Sequence, residues 1–387
     1  MKVYMEHGAA RPVDPRVMDA MLPFFSEAYG NPASFHSNGF EALRAVNTAR
    51  AQVASMIGAE AADIVFTSSA TESNNLGILG SVQRYRKKGN RVVISEIEHI
   101  SVINICKELT RMGLDVVYAP VDADGILKID ELRELVDDET ILVSIMAANG
   151  EIGTIQPLKE TVEIAHEHET LLHTDATAAL GQIPLDISMG FDLITLSSND
   201  LYGPKGVGAL YIRNGLRLKP HMIGGGQEGG LRSGSENVPG IVGMGKASKI
   251  AMAEMPEESE RLIGLRDKLI KGILETNPES YLNGHQTKRL PNNANIRFSY
   301  IEGEALILSL DQLGIELSSG SACMAKTLEP SHVLRALGLK HEEAHGSLVF
   351  TLGKCNNEEH VDYVVKSMPG VVKRLRSMSP LTPKELM

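Results

Sequence analysis

An α/β fold built on a mainly parallel sheet is predicted by three features of this sequence. Short apolar runs alternate with longer amphipathic stretches between Ile64 and Ile212. Small and polar residues gather after the apolar runs, where the loops of a parallel sheet form binding sites. After a Gly-rich stretch, Gly224-Gly225-Gly226-Gln227-Glu228-Gly229-Gly230, the pattern turns helix-rich and then mixed. The expectation is a seven-stranded type of sheet with helices on both faces, plus a smaller α+β C-terminal domain. The large domain is placed at 14–250, and residues 1–13 join 251–387 in the small one.

Taken in order, residues 1–36 are rich in Pro, Gly and small side chains and read as irregular, with one helix over 15–29. Leu43, Val46, Val53 and Ile57 carry helical spacing over 39–57. The strand 64–67 leads through Ser68-Ser69-Ala70-Thr71 into a helix ending near residue 88. Strands 92–95, 116–119, 141–146, 171–175, 193–198 and 209–212 follow, with helices 100–112, 129–136 and 157–168 between the earlier ones. Beyond the Gly-rich loop, 238–274 reads as helix. Strands near 295–298 and 348–352 and helices near 303–313, 329–337 and 358–375 complete the small domain.

With 387 residues the chain can bury a core in each of two domains. A net charge of -11 argues against nucleic acid or an anionic membrane as the main partner, while leaving room for a basic protein. No apolar run is long enough to span a membrane, and the first residues do not read as a signal peptide, so a cytoplasmic location is expected. The cysteines Cys106, Cys323 and Cys355 are too few and scattered for a disulfide framework or a four-thiolate site.

Several motifs carry chemistry. Ala70-Thr71-Glu72-Ser73 opens a helix after a strand, where free N–H groups favour a phosphate; a simple N-cap explains it equally well. Glu98-His99 follows a strand, and a histidine there can lie flat on a planar ring. Asp175 ends a strand and suits a protonated pyridine nitrogen, or a helix cap. Cys323 sits among small residues in Ser318-Ser319-Gly320-Ser321-Ala322-Cys323, a setting for an accessible thiol. Cys106 reads as packing, and Cys355 is open. His341-Glu342-Glu343-Ala344-His345 matches the zinc-protease pattern formally, but Gly338 and Gly346 leave little room for the two turns that chemistry needs.

Together these motifs resemble the cysteine desulfurases, enzymes of the type I pyridoxal-phosphate fold that take sulfur from cysteine for iron–sulfur assembly. The resemblance runs nearly end to end, through Pro12-Val13-Asp14-Pro15-Arg16, Ala70-Thr71-Glu72-Ser73-Asn74-Asn75, Glu98-His99 and Glu151-Ile152-Gly153. It continues through Asp175-Ala176-Thr177, Gly203-Pro204-Lys205-Gly206 and Leu328-Glu329-Pro330-Ser331-His332. It implies that Ala70, Thr71, His99, Asp175, Ser197 and Ser235 are the retained cofactor positions. Thr71, Ser197 and Ser235 (threonine in the family) would meet the phosphate, His99 would stack on the ring, and Asp175 would pair with its nitrogen. Cys323 would carry the persulfide. The family also implies a homodimer.

The departures from the family pattern are concentrated around the ring. Asp200 stands at the lysine that forms the imine, and Asn199 at the histidine beside it. Gly150 replaces an asparagine, Ala178 a glutamine, and Val349 the arginine that holds the substrate carboxylate. A carboxylate cannot form an imine. Losing the arginine removes a charge-assisted pair worth roughly 1.5–3 kcal/mol. The expectation is therefore a homologue without covalent pyridoxal phosphate, offering Cys323 to an iron–sulfur scaffold protein as sulfur acceptor or as ligand of a shared [2Fe-2S] cluster. Two alternatives stand beside it: an active desulfurase with non-covalent cofactor or with Lys205 as the amine, and a structural or regulatory dimer partner.

Overall fold

The computed structural model describes residues 1–320 and 330–386. Cys323, with its expected roles as persulfide carrier and cluster ligand, lies outside the described residues. The chain begins with β1 (Val3–Tyr4), α1 (Pro15–Met21), α2 (Pro23–Ser26) and α3 (Ser37–Met56). The expected helix over 15–29 is two helices, because Pro23 has no N–H to continue the first one. In α3, Ala42, Val46, Ala49 and Val53 fall on one buried stripe.

The alternating region follows as β2 (Ile64–Thr67), α4 (Ala70–Tyr85), β3 (Arg91–Ser95), α5 (Ile100–Arg111), β4 (Asp115–Ala119) and α6 (Ile129–Leu135). It continues with β5 (Thr140–Ser144), α7 (Leu158–Glu167), β6 (Leu171–Asp175), β7 (Leu193–Ser197) and β8 (Gly208–Ile212). Among the described residues these strands form one seven-stranded sheet, ordered β2-β8-β7-β6-β5-β3-β4. Its pairings are parallel except where β8 meets β2 and β7. Strand alternation splits its side chains between two layers. Val92 and Ile94 pack with Val82, Val102 and Leu109 of α4 and α5, while Val93 faces the layer formed by α3, α7 and their neighbours.

One long helix, α8 (Val238–Thr276), leads to β9 (Ser280–Asn283), β10 (Asn293–Phe298), α9 (Gly303–Asp311) and β11 (Ile315–Glu316). After the undescribed residues come α10 (His332–Ala336), α11 (His341–His345), β12 (Ser347–Thr351) and α12 (Glu358–Met378). A three-stranded antiparallel sheet, β12-β10-β9, packs with α9 and α12. Val3 and Met5 belong to this second core, and β1 pairs with β11 in parallel, Val3 opposite Ile315. The helix α8 is shared: its buried residues up to Ile250 join the core of the large domain beside α3 and α1, and those from Leu262 join the core of the small sheet. On α11 the His341 and His345 rings lie 4.4 Å apart, centroid to centroid. No described helix is long and apolar enough to cross a membrane.

Candidate functional site

A cavity of about 210 Å³ opens at the carboxyl ends of β3 and β5. Its walls come from Glu98-His99 after β3, Asn149-Gly150-Glu151 after β5, Glu6 and Gly8 after β1, and Val349 on β12. Ser331 and His332 at the start of α10 close one side. Three glutamates line this cavity, and among the described lining residues there is no lysine or arginine.

Glu98 is fully buried, and Glu151 is half-buried with its Oε1 out of contact with water. Glu98 Oε1 accepts hydrogen bonds from Ser95 Oγ (2.8 Å) and Met146 N (2.7 Å). Glu151 Oε2 accepts from Ser331 Oγ (2.8 Å), whose oxygen in turn caps α10 by accepting from Val333 N. The remaining oxygens, Glu98 Oε2 and Glu151 Oε1, are buried without a partner among the described residues. Burial pushes Glu98 up to about 8 and Glu151 up to about 7, since a lone carboxylate is costly in low dielectric.

A polar chain ties the other expected cofactor residues together. His99 caps α5, with Nδ1 2.8 Å from Ser101 Oγ. Asn74, one turn into α4, donates its Nδ2 to Ser101 Oγ (3.0 Å) and to Asp175 Oδ2 (2.8 Å). Asp175 Oδ1 accepts from Thr177 N at 2.9 Å. So α4, α5 and the end of β6 are joined by Asn74 and Ser101, which the sequence did not single out. Their only signal was the Asn-Asn pair following Thr71-Glu72-Ser73. Ala70 and Thr71 occupy the first turn of α4, and Ser69 caps it by accepting from Glu72 N. Ser235 is exposed in the loop before α8 and does not line the cavity. Cys106 is buried in α5, and burial pushes its thiol up to about 12.

The aminotransferase class-V family pattern matches residues 3–364. The chain is 55% identical to Cysteine desulfurase IscS 1 of Archaeoglobus fulgidus over 379 residues, covering 98% of this chain and 99% of that protein. It is 50% identical to Cysteine desulfurase IscS of Methanosarcina thermophila, covering 99% and 95% of the two chains. A solved NifS-like protein superposes with a TM-score of 0.91 at 39% identity, over 97% of this chain and all of that one. The chain belongs to the aminotransferase class-V family. Its sheet, with helices on both faces, is the pyridoxal-phosphate fold of that family.

Within this class-V fold, Asp200 follows β7 in a short helical turn, 5% exposed. Burial raises its carboxyl, and the nearby Arg11 guanidinium and hydrogen bonds from Ser197 and Asn199 oppose the rise. The Ser197 hydroxyl, expected to meet a phosphate, lies near the Asp200 carboxyl. Arg11 Nη1 donates to the Asp200 carbonyl, and Arg11 N donates to Asn199 Oδ1 (3.3 Å). Lys205 Nζ donates to the Arg11 carbonyl (3.1 Å) and does not line the cavity. Two other altered positions meet in space: a Cβ on Gly150 would lie 3.5 Å from Ala178 Cβ. The two shortened side chains therefore leave one shared gap. Pyridoxal phosphate is the family's cofactor. The first turn of α4 and the Asp175 carboxylate suit its two ends, whereas position 200 has no amine to attach it.

Proposed function

We propose that this chain is a cysteine-desulfurase homologue of iron–sulfur cluster assembly that has lost covalent pyridoxal phosphate and desulfuration. It acts by docking a scaffold protein and presenting Cys323 as sulfur acceptor or cluster ligand. The observation that carries this reading is the cavity wall. It holds three glutamates and no described lysine or arginine, with Asp200 standing at the lysine's place behind it. A substrate carboxylate entering such a cavity meets Val349 where a guanidinium would pair with it, with the buried Glu98 and the half-buried Glu151 nearby. The adjacent Gly150 and Ala178 remove a further polar pair from the same region. Retained elsewhere are the His99–Ser101–Asn74–Asp175 chain and the family scaffold.

The purified protein tests this directly. Its ultraviolet–visible spectrum is expected to lack the band of a covalently held cofactor, and incubation with cysteine is expected to release no alanine. An aldimine band together with alanine release would overturn the reading. The names of the relatives favour a second one, an active cysteine desulfurase. Borohydride trapping followed by peptide mapping separates the two. The first reading expects no labelled lysine, and a labelled Lys205 would support the second. The location is cytoplasmic and the assembly a homodimer in this proposal. The exposed aromatic side chains of Phe25, Tyr29 and Phe35 offer a surface for a second copy.

A further inference from the structure

Behind the cavity wall, a second pair of reactive side chains is joined from opposite ends of the chain. Glu6 and Gly8 line the cavity, and His7 between them does not. The chain turns over residues 7–9 after the bridge at Glu6, and the His7 ring is directed to the Cys355 side. Its ring is fully buried, and its Nε2 lies 3.3 Å from the Sγ of Cys355, an exposed cysteine in the turn after β12.

The imidazole is fixed in place. Tyr4 packs against it edge-on at 4.9 Å between centroids, and Tyr202 lies at 6.1 Å. His7 N donates to the Thr351 carbonyl (3.2 Å). A Cβ on Gly353 would come within 2.6 Å of the ring, so only a glycine there admits a histidine at position 7. Arg261 lies near Cys355, donating to the carbonyls of Asn356 (2.6 Å) and Gly353 (3.2 Å), and paired with Glu258. A nucleophile, a base oriented by packing and a nearby cation form the arrangement that activates a thiol.

The charged and titratable groups facing the pair are Arg11 and Arg261, with Tyr4, Tyr202 and Glu258 behind them. Burial and Arg11 push His7 down to about 4. Burial pushes the Cys355 thiol up. The pair therefore rests neutral, and a proton moves only when the sulfur forms a bond.

We propose that Cys355 and His7 form a second thiol site, which accepts a sulfane sulfur from a low-molecular-weight persulfide. Cys355 Sγ attacks the outer sulfur of R–S–SH, and its proton passes to His7 Nε2. The new Sγ–S bond forms as the original S–S bond breaks. The departing RS⁻ takes the proton from His7 and leaves as RSH. The products are a Cys355 persulfide and a thiol, with no net oxidation. This site is independent of the reading given to Cys323.

Full-length protein treated with glutathione persulfide is expected to carry persulfide on the Cys355 peptide by mass spectrometry, and none on Cys106. Iodoacetamide supplies the kinetic probe. Between the two titrations, a base-assisted thiol reacts at a nearly constant rate, whereas an isolated thiol gains about tenfold per pH unit. A flat profile for Cys355 from about pH 5.5 to 8 is expected, with His7→Phe slowing it at least about tenfold at pH 6.5. A tenfold-per-unit slope in the unaltered protein, an unslowed folded His7→Phe, or no persulfide on Cys355 would each overturn the site. Should His7→Phe fail to fold, the persulfide mapping and the pH profile of the unaltered protein decide.

Discussion

Glu98 and Glu151 hold protons at a pH where exposed glutamates have lost theirs. An acid raised by burial binds its proton more tightly in the folded than in the unfolded chain. Stability therefore falls as pH rises from the ordinary glutamate value through about 7 and 8. Glu98→Gln keeps the acceptor bonded to Ser95 and Met146 and removes the titration. Thermal melts from about pH 5 to 8.5 should show a shallower decline in this variant, which should be the more stable protein at the alkaline end. An unchanged slope would mean that Glu98 is already ionised. Asp200→Lys, by contrast, should not restore alanine release from cysteine. Gly150, Ala178 and Val349 still leave the ring and substrate unheld, and restoration by that single change would show their losses to be minor. At this scale the sequence made Asp200, His99 and Asp175 legible because each lies in a local motif. It hid Asn74 and Ser101, whose meaning is the contact between two helix starts. It hid the His7–Cys355 pair altogether, since nothing local links residues 348 apart.

Among the elements, the loop bearing Glu228 is held by more than its glycines. Arg50 of α3 makes a two-point pair with Glu228, Nη1 and Nη2 each 2.6 Å from an oxygen. Phe66 N on β2 donates to the same carboxylate at 2.8 Å. Glu228 is 4% exposed in its side chain and Arg50 17%, so removing one partner strands a mostly dry charge. Glu228→Ala should cost about 3 kcal/mol, read from the urea midpoint, and should open residues 224–231 to proteolysis. A loss below about 1 kcal/mol would mean that the glycine-rich turn stands without the pair. The strands of the large sheet were readable because each is a compact apolar run bounded by turn residues. The short strands β1 and β11 were not, because two residues carry no period and their pairing spans most of the chain. The break between α1 and α2 was marked by Pro23, yet the surrounding apolar residues suggested one helix.

For the molecule as a whole, the exposed aromatics are the feature that a lone copy leaves unexplained. Phe35 is 94% exposed, Tyr29 68% and Phe25 62%, all within the first helical stretch and its following loop. Light scattering after size exclusion should give about twice the 41.9 kDa chain mass. Phe35→Asp should shift the population toward single chains, and a monomeric unaltered protein would refute the dimer. The pairing of β1 with β11 also bears on how the chain reaches this form. Val3 and Met5 leave the ribosome well before Leu348, Phe350 and α12, which complete the core they enter. The first strand must wait, unpaired, through most of synthesis, while the central sheet can already close around its own helices. His7 shares that delay and meets its sulfur only after residue 355 has emerged, so a nascent chain cut short of β12 would carry neither the finished small core nor the histidine–thiol pair.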